Sequence, residues 1–268
     1  MFKNLHKILL VVFSVLVLLF ILIPIFILVI SSFNASQFFV FPPTGFTLDW
    51  YAKFFRSQGY QSSLWISTQV ALAAVLLSLL TGVPAAFALD RYDYRVNAFL
   101  QGIFLSPLLL PQIIWSVGLL QFFNVIRIGD FTLTGTFYGL VIAHAVVILP
   151  YMIRMVLTGL SYVERDLESA SMSLGAPPLT TFLRVTIPIT LPSIIVGSVF
   201  GFMISFTNVV VSSFIAGARY ITFPVRMYSE IRTEGLDPLA VAISSVVVTI
   251  IVILAMIGER TIKWSQYM

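Results

Sequence analysis

The 268-residue sequence holds no cysteine and only two histidines, and only 10% of its residues are charged. Without cysteine there can be no disulfide framework, thiolate metal site or cysteine nucleophile. Soluble domains carry about 25% charged residues. At 59% hydrophobic residues and a mean hydropathy of +1.02, the chain has more apolar surface than a water-soluble protein of this length could hide, so much of it faces lipid. No G-x-x-x-x-G-K-[ST] segment occurs, and neither does H-E-x-x-H or G-x-S-x-G, so there is no nucleotide cradle, zinc-protease helix or nucleophile elbow. The net charge of +4 does not mark a nucleic-acid binder here, because the basic residues are dispersed at the ends of apolar runs, where they report topology.

Crossing the hydrocarbon takes about 20 apolar residues in a helix. Six stretches qualify: 8–33, 61–89, 98–126, 134–158, 191–215 and 238–258. They are continuous rather than alternating, which excludes a transmembrane barrel, and lipid offers their backbone no other hydrogen-bond partner. The fold class expected is all-α integral membrane, with 1–268 forming a single transmembrane domain. Lys3 and Lys7 precede an apolar run longer than the 7–15 residues of a signal-peptide core, so it reads as an uncleaved first span. With the N-terminus inside, Lys3, Lys7, Arg91, Arg95, Arg154, Arg165, Arg184, Arg260 and Lys263 lie within. Lys53, Arg56, Arg127, Arg219, Arg226 and Arg232 lie without. The bias predicts both termini on the cytoplasmic side.

Two inter-span segments are long. The outer one, 34–60, carries Pro42-Pro43, Gly45 and Trp50-Tyr51 and reads as ordered, with Trp50 at headgroup depth. The inner one, 159–190, places Ser161 and Glu164 at capping-box spacing, which predicts a short helix starting there. Gly175 and Pro177-Pro178 end it, and a second short helix is expected over 179–185. A surface helix this short is marginal alone, so it docks on another protein or lies on the bilayer.

From Leu167-Glu168-Ser169-Ala170-Ser171-Met172-Ser173-Leu174-Gly175-Ala176 through Phe182, Arg184, Val185 and Ile187-Pro188 to Leu191-Pro192, the inner segment resembles the EAA loop of permeases of binding-protein-dependent ABC importers. Asn34-Ala35-Ser36 and the stretch Ser205 to Phe214 with Gly217 are similar to the smaller permease of polyamine-type and opine-type systems. The resemblance implies a bacterial inner-membrane subunit with an ATPase-coupling loop at Glu168, Ser169, Ala170, Ser171, Leu174, Gly175 and Ala176. It implies no cofactor on this chain, ATP and Mg being held by two partner ATPase subunits. A second, homologous permease, an extracytoplasmic binding protein and membrane lipid complete the partners. The cargo implied is a small organic solute of the polyamine, opine or amino-acid-derivative kind.

Two features depart from the family pattern. Ser169 stands where the motif glutamate is usual, and Glu168 is one residue early, about 100° around a helix. Thr207 and Asn208 stand where relatives often carry aspartate, and no Asp or Glu lies deep in a predicted span, so a polyamine cation lacks its natural partner. The candidate solute path is Ser205, Thr207, Asn208 and His144. Each has an alternative role in bonding a neighbouring helix, as do Gln69, Gln112 and Gln121. Gly197 and Gly201 fit a close helix contact, and Pro107 and Pro111 predict a kink in the third span. The outer segment 216–237, with its mixed charge, reads as a solvated loop. A six-span secondary transporter or channel is the rival, and an intramembrane enzyme lacks any motif.

Overall fold

In the computed structural model, the structure describes residues 2–91, 97–128, 131–235 and 237–262. The elements in chain order are α1 (Phe2–Ser31), α2 (Asp49–Arg56), α3 (Gln58–Arg91), α4 (Asn97–Leu105), a 3-10 turn (Ser106–Leu108) and α5 (Gln112–Val125). The two-residue strands β1 (Arg127–Ile128) and β2 (Phe131–Thr132) pair antiparallel. Then follow α6 (Phe137–Leu160), α7 (Arg165–Ser173), α8 (Pro178–Thr181), a π-helical segment (Phe182–Thr186), α9 (Ile187–Phe206), α10 (Val210–Ile215), α11 (Phe223–Glu234) and α12 (Pro238–Ile262).

Among the described residues, five helical stretches are long and apolar enough to span a membrane, and six if the bent pair α4–α5 is one span. All six expected spans therefore have a counterpart. The third is not merely kinked. Its halves meet at 104°, because the Ser106–Leu108 turn carries Pro107 and the residue preceding α5 is Pro111, and neither proline can donate to a helical ladder. The fifth starts earlier than expected, since α8, the π segment and α9 run on from Pro178 to Phe206, and it breaks at Thr207–Val209 before α10 resumes. The segment read as a solvated loop contains the twelve-residue α11.

By internal contacts the chain divides into two units, Met1–Gln61 with Met227–Leu254, and Ser62–Arg226 with Ala255–Met268. In the first, the outer loop is organised by Asn34. Its Oδ1 accepts from the backbone N–H groups of Ser36 and Thr44, each at 3.2 Å, and its Nδ2 donates to Val40 O at 2.9 Å. Trp50 is buried, and its indole N–H donates to Asn34 O at 2.8 Å. It is thus a core residue of the loop. In the second unit, α6 and α9 lie along one another. A Cβ on Gly197 would sit 3.1 Å from Met152 Sδ, and one on Gly159 would sit 2.7 Å from Ser193 Oγ. Small residues let these two backbones approach, as membrane helix pairs require. Ile148, Met152, Ile153 and Val156 of α6 are buried in the resulting core.

Candidate functional site

Two places concentrate polar side chains. The first is the break between α9 and α10. His144 of α6 lies opposite it, 2% exposed, with Nδ1 2.8 Å from Ser205 Oγ and Nε2 3.0 Å from Ser212 Oγ. One ring therefore ties the last turn of α9 to α10 across the unwound residues. A neutral imidazole offers one donor and one acceptor, and a serine hydroxyl can serve either, so both bonds can form at once. Within the break, Asn208 Oδ1 accepts from the backbone N–H of Val211 at 2.8 Å, and its Nδ2 donates to Gln112 Oε1 at 3.2 Å. Gln112 opens α5, immediately after the 104° turn. The two broken spans thus meet through one amide pair.

Of the path residues expected from sequence, Ser205 and His144 are buried and occupied with each other, and Asn208 is 6% exposed. Thr207 is exposed, its hydroxyl donating back to Met203 O at 2.8 Å. Gln112 joins this set, and two further neighbours, Trp115 and Tyr151, line a cavity of about 70 Å³ beside it. The sequence marks Gln112 as a span amide that bonds a neighbouring helix, and it gives no signal for the aromatic pair.

The second place is the inner loop. α7 does not start with the Ser161–Glu164 box: Ser161 closes α6, its hydroxyl bonded to Thr158 O at 2.7 Å, and α7 begins at Arg165. Its end is a Schellman motif. Gly175 N–H donates to Met172 O at 3.0 Å and Ala176 N–H to Ser171 O at 3.2 Å. Gly175 has φ +90, a left-handed conformation open to glycine at little cost. Ser171 Oγ lies 2.9 Å from Thr181 Oγ1, fastening α7 to α8.

Glu168 points into its own chain. Its Oε2 is 2.9 Å from Arg91 Nε at the end of α3, and its Oε1 accepts from Thr186 Oγ1 of the π segment at 2.5 Å. Arg165 adds a bond from its guanidinium to Asp90 O at 3.1 Å. The face of α7 away from this network is open. Ser169 and Ala170 are exposed, Leu174 is 90% exposed, and Leu167, Met172 and Leu179 are exposed as well. Ser169, in the position of the usual glutamate, bonds only back to Arg165 O, at 3.0 Å.

No protein-family model matches the chain. Among characterised proteins, the spermidine/putrescine transport system permease PotC of Haemophilus influenzae is 29% identical over 247 residues, 92% of this chain and 93% of that one. The putrescine transport system permease PotI of Escherichia coli is 30% identical over 222 residues, 82% of this chain and 78% of that one. PhnV of Salmonella choleraesuis, which bears the name of a 2-aminoethylphosphonate transport system permease, is 29% identical over 254 residues, 95% of this chain and 94% of that one. Of solved structures, a bacterial ABC transporter involved in the import of the acidic polysaccharide alginate matches with a TM-score of 0.68 at 16% identity, over 97% of this chain and 96% of that one. The inward-facing MetNI methionine ABC transporter matches with 0.59 at 20% identity, over 75% and 93%. These likenesses carry the fold. Taken with the PotI match and the five or six apolar spans among the described residues, they make the chain a multi-pass inner-membrane permease subunit, a member of the polyamine-type family of ABC importer permeases.

Proposed function

We propose that the chain forms half of a solute path, paired with a second, homologous permease, and that the α7–α8 loop is where a partner ATPase drives it. The observation that carries the coupling reading is the two-sidedness of α7. One side is held by side chains to α3 and to the π segment, while Leu167, Met172 and Leu174 are left to solvent. Exposed leucines at the end of a capped helix fit a docking surface better than a solvated one. A push on that surface would reach α3 through Arg91 and α9 through Thr186. ATP and Mg would reside on the ATPase pair, and closure of that pair would draw the loops together and rock the spans between inward- and outward-open states.

Arg91, Arg154, Arg165 and Arg184 then face the cytoplasm, which is also the side assigned to both termini. An extracytoplasmic binding protein would deliver the solute. PotC, PotI and PhnV are named for amine-bearing solutes, and a small organic amine is the cargo class proposed here.

Because the chain has no cysteine, a single Leu174→Cys substitution gives a unique cross-linking handle. The expected result is a disulfide or short-linker adduct with one cysteine scanned along the ATPase groove, and co-purification of the ATPase with the unlinked protein. Solute accumulation by vesicles holding this chain as the sole protein would defeat the importer reading and favour a secondary transporter.

A further inference from the structure

The outer loop holds a cavity of about 330 Å³, at the lower end of the range for small-molecule pockets. One wall is a face of α2, where Asp49, Ala52, Lys53 and Arg56 recur at helical spacing. Ala35, Gln37, Thr47 and Trp50 complete it, and all of these residues belong to one unit. Asp49, Lys53 and Arg56 are exposed, and among the described residues none of the three enters an ion pair. Lys53 does not turn to Asp49, about one helical turn before it. Its Nζ sits 4.1 Å from the centroid of the Trp50 ring, which is itself fixed by the indole bond to Asn34 O. A cation is thereby held at the cavity wall, with Arg56 about one turn further on and an unpaired carboxylate about one turn back. A ligand that complements this face carries a positive end toward Asp49 and a negative end toward Lys53 and Arg56.

The loop is pinned to the end of the first span. α1 ends at Ser31, Thr47 N–H donates to Phe33 O at 2.7 Å, and Ala35 N–H donates to Gly45 O at 3.0 Å. A chain that leaves the hydrocarbon at the end of α1 therefore carries this cavity at the membrane boundary. Phe38, Phe41, Phe46, Leu48 and Phe55 of the same loop are exposed, Phe46 to 77%. None of these side chains has a polar atom, so together they make a surface that is unfavourable in water. A soluble partner would leave them in water between encounters, whereas lipid is always there.

We infer that this cavity holds the head group of a zwitterionic phospholipid from the leaflet at the C-terminal end of α1, with the phosphate on Lys53 and Arg56 and a primary ammonium on Asp49. Phosphatidylethanolamine has that order of charges. A phosphatidylglycerol head group brings the phosphate without a cation and leaves Asp49 beside an anion. A choline head group brings a cation that cannot donate a hydrogen bond. The inference needs only that the chain crosses the membrane, so it is independent of the solute-path and ATPase readings.

The test places the assembled importer, with ATPase, second permease and binding protein, in phosphatidylcholine nanodiscs. These are doped with a phosphatidylethanolamine that carries a photoactivatable diazirine at the top of one acyl chain and keeps its ammonium free. After irradiation, peptide mass spectrometry locates the adduct. The expected adduct lies within residues 35–56 and is competed by unlabelled phosphatidylethanolamine, with phosphatidylglycerol a weaker competitor. Lys53→Gln combined with Arg56→Gln should lower the yield about tenfold at sub-saturating probe, the weight of two solvent-exposed ion pairs. Lys53→Arg combined with Arg56→Lys keeps both charges and should label like the parent. Asp49→Asn should erase the preference for phosphatidylethanolamine over phosphatidylglycerol. ATPase co-purification and ATP-driven uptake report that each variant is folded and assembled. No adduct in this segment, equal labelling of the glutamine double variant and the parent, or equal competition by the two lipids would overturn the site. Displacement of the adduct by excess binding protein would assign the surface to that partner and overturn it as well.

Discussion

Glu168 and Arg91 lie 77 residues apart in sequence and meet as an ion pair, Nε to Oε2 2.9 Å, with side chains only 13% and 11% exposed. The pair ties the loop helix α7 to the C-terminal end of α3. The same carboxylate holds Thr186, so three elements share one side chain. Removing Arg91 leaves the largely buried Glu168 carboxylate without its cation, at about 3–5 kcal/mol, whereas Arg91 without Glu168 still has Asp90 as an ion-pair partner.

The pair should therefore matter for force transmission rather than for ATP hydrolysis. Glu168→Ala and Arg91→Ala are expected to lower solute uptake about tenfold or more while the ATPase still turns over. Glu168→Gln keeps an acceptor for Thr186 and should lose less. Arg91→Lys supplies a point charge without the guanidinium fork and should fall between. The measurement is solute moved per ATP hydrolysed in proteoliposomes. An unaltered ratio in both alanine variants would show that α7 is positioned by something else.

Gly175 presents a different constraint. A Cβ there would meet no atom within 4 Å, yet its φ is +90. Any penalty is thus in the backbone, about 1–2 kcal/mol for a non-glycine residue and more for a branched one. Gly175→Asn should keep most transport, since asparagine tolerates this region. Gly175→Val should abolish it while the protein remains in the membrane. Equal uptake by the two variants, measured in intact cells at matched expression, would mean that the helix stop at 175 is not needed.

His144 is expected to act on stability before transport. His144→Ala removes the bridge and leaves Ser205 and Ser212 hydroxyls buried without it, at about 1–3 kcal/mol each. The detergent-solubilised assembly should melt at a lower temperature, with a half-saturating solute concentration close to that of the parent. A melting temperature unaltered beside a large shift in half-saturation would place the imidazole on the solute path instead.

Much of this architecture was readable from local signals. The six spans follow from run length, the sharp turn in the third from Pro107 and Pro111, and the end of α7 from Gly175. The features that escaped depend on distant partners or on weak periodicity. Ser161 has capping-box spacing to Glu164, but its hydroxyl bonds within its own turn at Thr158, which ends α6 instead of starting α7. The one-residue offset of Glu168 marks a side chain turned toward Arg91 and Thr186, and sequence can report the offset but not the partners. α11 has mixed charge and no clean apolar run, so it read as a loop. The small cavity beside Gln112 is assembled from the Ser106–Leu108 turn, α5 and α6, and no one of these elements displays it alone.

The π-helical segment, Phe182–Thr186, has a mechanical corollary. Its closing bond runs from Ile187 N–H to Phe182 O, five residues rather than four, so the segment carries one residue more than an α-helical turn there would. That surplus sets the azimuth of everything downstream, since a single residue is worth about 100° of rotation. Trimming it would swing the glycine-bearing side of α9 off α6 while barely altering the helix's length. If the α7–α8 loop couples as proposed, the segment is the clutch plate between that loop and α9.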